Sequence, residues 1–167
     1  VLMDDGGTAN GGIDTSPAVT FTIDVTAVND APSFTPGADE NIFEDAGAQN
    51  GNPWATTVSA GPADDVGQTL TFNIVANDNP TLFSALPAID SAGVLTYTPA
   101  ADAFGTANLM VQLSDNGGTA NGGLDTSAVV PLVIDITSIN DAPSFVVGPN
   151  ISVAEDSGAQ NNAAWAT

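Results

Sequence analysis

The sequence predicts an all-β fold, a sandwich of short strands. Three observations lead there. Apolar and polar residues alternate with a period of two along several runs. Clusters of Gly, Pro, Asn and Asp separate those runs. No stretch of about 11 residues carries apolar residues at helical spacing.

Residues 18–28 form the first alternating run, with Phe21, Ile23 and Val25 on one face. Short candidates follow at 41–44 and 54–60. Residues 69–76 set Leu70, Phe72 and Ile74 against Thr69, Thr71 and Asn73. Residues 94–98 read Val-Leu-Thr-Tyr-Thr. Residues 106–113 place Leu109, Val111 and Leu113 on one face, and 129–137 set Leu132, Ile134 and Ile136 against Val133, Asp135 and Thr137. Trp54 and Phe34 are expected as core anchors, since large rings pack well between sheets. Roughly seven short strands in about 111 residues is the pattern of an immunoglobulin-like sandwich.

An internal repeat sets the organisation. GGTANGG at 6–12 returns at 117–123, NDAPSF at 29–34 returns at 140–145, and EDAGAQN at 44–50 returns as EDSGAQN at 155–161. The offset is 111 residues each time, and 32 of the 56 positions in 1–56 are identical to those in 112–167 without a gap. Trp165 and Phe145 are thus the counterparts of Trp54 and Phe34. Pro32 and Pro143 interrupt the ladder pattern after a long β-like run, which marks unit boundaries. Residues 1–28 read as the end of a preceding unit, 29–139 as one complete unit, and 140–167 as the start of the next. The expected partners are neighbouring repeats of the same chain.

Composition removes most chemistry. The chain has 20 acidic residues, no Lys, Arg or His, and a formal net charge of −20. Without His it lacks the commonest general base and transition-metal ligand. Without Lys or Arg it has no phosphate clamp and no nucleic-acid backbone contacts, and no amine for a Schiff base or an isopeptide cross-link. Without Cys it has no disulfide and no thiolate. No apolar run is long enough to span a membrane as a helix. No catalytic function is expected.

The carboxylates gather at run ends and in turns. One unit, 29–139, holds 13 acidic residues and no base, so its own repulsion opposes compaction. Ca²⁺ offsets such charge with carboxylate, amide and carbonyl oxygens alone; screening by external salt is the rival account. A single Asp in a turn is most simply a turn former. Paired positions at the boundaries point further. The candidate ligands are Asn29 and Asp30, Glu44 and Asp45, Asp64 and Asp65, Asp115, Asn140 and Asp141, and Glu155 and Asp156. GGTANGG reads as a hairpin or Ω-type loop, since no Lys follows it.

VNDAPSF at 28–34 and INDAPSF at 139–145, with LTYTPA at 95–100 and DNGGTANGG at 115–123, resemble bacterial cadherin-like tandem repeats along the whole chain. The resemblance implies a secreted bacterial surface protein or giant adhesin, a stalk role, and Ca²⁺ at the junctions. The junction of animal cadherins, Asp-x-Asn-Asp-Asn-x-Pro, is only partly matched. Ala27 and Ser138 stand at its first Asp, and Ala31 follows Asp30. One or two ions per repeat are therefore expected rather than three. Two other functions are expected to compete: a filament subunit joined by strand addition, using residues 18–28, and a carbohydrate-binding accessory module, which requires an exposed aromatic row.

Overall fold

The computed structural model describes residues 1–161 and Ala166. It is mostly β, with no α-helix among the described residues. No helix there is long and apolar enough to cross a membrane.

Nine strands run between Ser33 and Thr137: β1 (Ser33–Pro36), β2 (Glu40–Phe43), β3 (Gln49–Pro53), β4 (Ala55–Ser59), β5 (Thr71–Asn77), β6 (Phe83–Ile89), β7 (Val94–Pro99), β8 (Gly105–Ser114) and β9 (Val130–Thr137). Four form a mixed sheet in the order β2-β9-β8-β5, with β2 parallel to β9 and the other pairs antiparallel. β3, β7 and β6 form an antiparallel sheet, and β1 pairs with β4.

The period-two pattern explains the packing. Ala107, Leu109, Val111 and Leu113 of β8 are sealed from solvent, as are Leu132 and Ile134 of β9. Phe83, Ile89, Leu95 and Tyr97 of the second sheet join the same cluster. Each large side chain so buried contributes about 1.5–3 kcal/mol. Phe34 packs edge-on against Phe72 at 5.1 Å and leans on Trp54 at 6.0 Å. Trp54 is buried and its Nε1–H donates to the Ala38 carbonyl at 3.1 Å. The layers make a sandwich-like arrangement around one core. No residue of 1–28 or 140–161 is buried, so among the described residues the core lies within 29–139. Trp165 lies outside the described residues.

The expected runs at 69–76, 94–98, 106–113 and 129–137 coincide with β5, β7, β8 and β9. Strands β1, β3 and β6 were not anticipated. Residues 18–28 form no strand, and Phe21, Ile23 and Val25 are 75–90% exposed. Residues 19–26 align with 130–137, and β9 is held between β8 and β2, neighbours that 19–26 lacks here.

The repeat is also a repeat of geometry. The loop 115–125 closes with Asp115 N–H on Asp125 O at 3.0 Å, and the loop 4–14 closes with Asp4 N–H on Asp14 O at 2.9 Å. Asn121 and Asn10 both take left-handed backbone, at φ 57° and 59°. Asn tolerates that region where most side chains do not. The turn after each Glu-Asp pair repeats too. Gln49 Nε2 caps the Ala46 and Gly47 carbonyls, and Gln160 Nε2 caps those of Ser157 and Gly158.

Strand directions give the sandwich two poles. The chain arrives at an upstream pole, beside the loops 60–70 and 114–128. It leaves from a downstream pole, where β2 and β9 end together and the turn before β8 lies alongside.

Candidate metal centres at the two poles

At the downstream pole, Asp45, Asp102 and Asp141 each offer a carboxylate oxygen, and these lie within 4.8 Å of one another. All three side chains are exposed. Three separate segments bring them there. Asp45 follows β2, Asp102 sits between β7 and β8, and Asp141 lies just past β9. Asp45 and Asp102 both hold left-handed backbone, φ 61° and 55°, which turns the chain sharply at each site. The Asp102 N–H reaches Asp45 Oδ1 at 3.5 Å.

Beside this cluster, Glu44 is buried. Its Oε1 accepts the Ile139 N–H at 2.8 Å, and its own N–H donates to the Thr137 carbonyl at 2.9 Å. Glu44 thus clamps the departing chain rather than facing solvent. Asn140 is exposed and donates to the Asp141 carbonyl at 3.1 Å.

The upstream pole is a hydrogen-bonded knot. Asn29 Nδ2 donates to Asp115 Oδ1 at 3.0 Å and to the Leu124 carbonyl at 2.7 Å. Asn29 Oδ1 accepts from Gln68 Nε2 at 2.7 Å, and the Leu124 N–H donates to the Asn29 carbonyl at 2.9 Å. Asp65 is buried. Its Oδ2 accepts the Asp30 N–H at 3.1 Å and its Oδ1 accepts from Gln68 Nε2 at 2.8 Å. Gly117 leaves room for the Asn29 side chain, into which any Cβ at that position would run. Two oxygens in the knot, Asp115 Oδ2 and Gln68 Oε1, are out of solvent without a hydrogen-bond partner.

The sequence candidates thus divide. The side chains of Asn29, Asp65 and Asp115 meet at the upstream pole, where Asp30 contributes its backbone N–H. Glu44, Asp45 and Asp141 meet at the downstream pole, with Asn140 adjoining Asp141. Asp64 is exposed and stands outside the Asp45 cluster, as do Glu155 and Asp156. Asp102 and Gln68 are the additions that the candidate set lacked. Asp102 follows Thr-Pro-Ala-Ala in a turn, a position that appears only once in the chain, so no second copy marked it.

Elsewhere a carboxylate serves the fold. The side chain and N–H of Asn108 both donate to Asp78, at 2.8 and 2.7 Å, and hold its carboxyl below the usual range.

Hard divalent cations fit the donor set, which is oxygen throughout. Ca²⁺–oxygen distances of about 2.3–2.6 Å place two ligand atoms on one ion at most about 5 Å apart. The Asp45, Asp102 and Asp141 oxygens meet that limit. No protein-family model matches the sequence, and comparison with curated proteins finds no match.

Proposed function

We propose that this chain is part of a tandem array of immunoglobulin-like, cadherin-like sandwiches, a non-catalytic spacer in an extracellular bacterial surface protein or adhesin. Ca²⁺ stiffens it where one unit meets the next. The observation that carries this reading is the approach of Asp45, Asp102 and Asp141 to within 4.8 Å. Two of these belong to the sandwich, and the third belongs to the NDAPSF segment that opens the next copy. A cation held among them ties the linker to the sandwich and removes freedom between units. The orphaned Asp115 Oδ2 and Gln68 Oε1 support cation binding at the upstream pole as well. A net charge of −20 without one basic side chain favours cations at both.

Strand addition between chains is a second reading, favoured by the exposure of Phe21, Ile23 and Val25 on a segment that copies β9. Such a filament predicts reversible, concentration-dependent association of the full chain.

Calorimetric titration of residues 1–167 with Ca²⁺ tests the first reading. The expected result is saturable binding at about 10⁻⁴–10⁻³ M, as for extracellular modules. Asp45→Asn with Asp102→Asn is expected to weaken it at least about tenfold, the loss of about 1.4 kcal/mol. Binding that ignores the double substitution overturns the site.

A further inference from the structure

Two phenylalanines stand exposed at the downstream pole. Phe43 ends β2, pairs with Thr137 and is 60% exposed. Phe104 immediately precedes Gly105, the first residue of β8, which pairs with Ile136. Phe104 is 62% exposed. Ile136 points into the core and Thr137 outward, so Phe43 lies beside Thr137 on the outer face of the sheet, and Phe104 stands exposed at the start of β8, one residue before the partner of Ile136. The upstream pole has its own exposed apolar residue, Leu124, at 60%. Its counterpart in the earlier copy is Ile13, also apolar and exposed.

We infer that Phe43 and Phe104 form an apolar contact surface for the upstream pole of the following copy, centred on the counterpart of Leu124. This rests on the tandem-array reading. Chain connectivity carries it. Only Ser138 and Ile139 separate Thr137 from Asn140, so Asn140 lies at most about 11 Å from Thr137. Asn140 is the counterpart of Asn29, which is bonded to both the N–H and the carbonyl of Leu124. A following unit folded like this one therefore brings its Leu124 counterpart within reach of the two rings. The contact places a dry patch beside the acidic cluster, and it fixes the angle between units through packing as well as through ions. The following copy carries Ala154 at the position of Phe43.

Cysteine cross-linking tests this, because the chain has no thiol of its own. Residues 1–139 are joined directly to a second 29–139, which reproduces the Ile139-Asn junction and uses a unit whose core is complete. Phe104→Cys in the first unit and Leu124→Cys in the second are oxidised in EDTA at about 1 M NaCl, where the Debye length is about 3 Å. The control pair is Met110→Cys, five residues along β8 from Gly105, with the same Leu124→Cys. Disulfide yield at least about ten times that of the control is expected. Phe43→Cys replaces Phe104→Cys in a second tandem, which covers loss of fold in the first. Yield at the control level in both tandems overturns the contact, whatever the Ca²⁺ titration gives. Full yield without any Ca²⁺ binding leaves the contact standing and removes only the ions.

Discussion

Glu44 Oε1 and the backbone N–H of Ile139 meet at 2.8 Å across 95 residues of sequence. A buried carboxylate at the end of β2 thereby fixes the chain as it leaves β9. Glu44→Ala leaves the Ile139 N–H without its acceptor and is expected to cost about 1–3 kcal/mol. Glu44→Gln keeps an acceptor oxygen and is expected to lose less. Urea midpoints of the full chain measure both. An alanine variant as stable as the parent contradicts the clamp.

Asn29 is the matching clamp on the arriving chain. Its amide uses both ends, with Asp115 and Leu124 accepting and Gln68 donating. Asn29→Asp puts a carboxylate against Asp115 Oδ1 and removes two donated bonds. It is expected to destabilise more than Asn29→Ala, which itself costs about 1–3 kcal/mol. Gly117→Ala is expected to fall in the same range, because its Cβ displaces the Asn29 side chain. Equal stability of the Asp and Asn forms contradicts the knot.

Asp45→Asn and Asp102→Asn are expected to change sign with the ion. Both positions hold left-handed backbone, which Asn adopts as readily as Asp. In EDTA each substitution relieves repulsion and raises the thermal midpoint slightly. In saturating Ca²⁺ each lowers it relative to the parent. A shift of the same sign in both buffers contradicts a shared ion.

Tyr97 gives a pH dependence. Burial pushes its phenol up from the ordinary value, and the Glu40 carboxylate adds to the effect. Above about pH 10 the unfolded chain ionises this group while the folded chain keeps it neutral. Stability from Tyr97 is therefore complete below that pH and is lost as pH rises toward the folded value. The slope is at most about 1.4 kcal/mol per pH unit, one proton's worth. Tyr97 is the only tyrosine, and no Lys, Arg, His or Cys titrates in the window. Tyr97→Phe is expected to flatten the alkaline limb in urea unfolding. An unchanged limb contradicts the burial argument.

Strands β5, β7, β8 and β9 were legible because each buries one face, and one buried face writes a period of two. β6 was not, because Pro87 interrupts Phe83–Ile89 and its register to β7 shifts twice. β3 was not, because Gln-Asn-Gly-Asn-Pro contains no apolar alternation to read. Asp45 and Asp141 stand out in the sequence because both their segments occur twice in the chain. Asp102 does not stand out, because residues 57–111 occur once and only the folded turn before β8 carries it to the pole. Gln68 was invisible for another reason. Its role comes from meeting Asn29 and Asp65 in space, and an amide in a polar loop announces nothing by its spacing.

The most direct test is thermal unfolding of residues 1–167 with Ca²⁺ titrated against EDTA at constant ionic strength. A site that binds only the folded state raises the midpoint in proportion to the logarithm of free Ca²⁺ above its dissociation constant. The predicted result is such a rise, matched by no equivalent addition of Na⁺ and clearly reduced in the Asp45→Asn, Asp102→Asn double variant, which keeps only the upstream pole. A midpoint that stays level across the Ca²⁺ series contradicts the ion-stiffened junction.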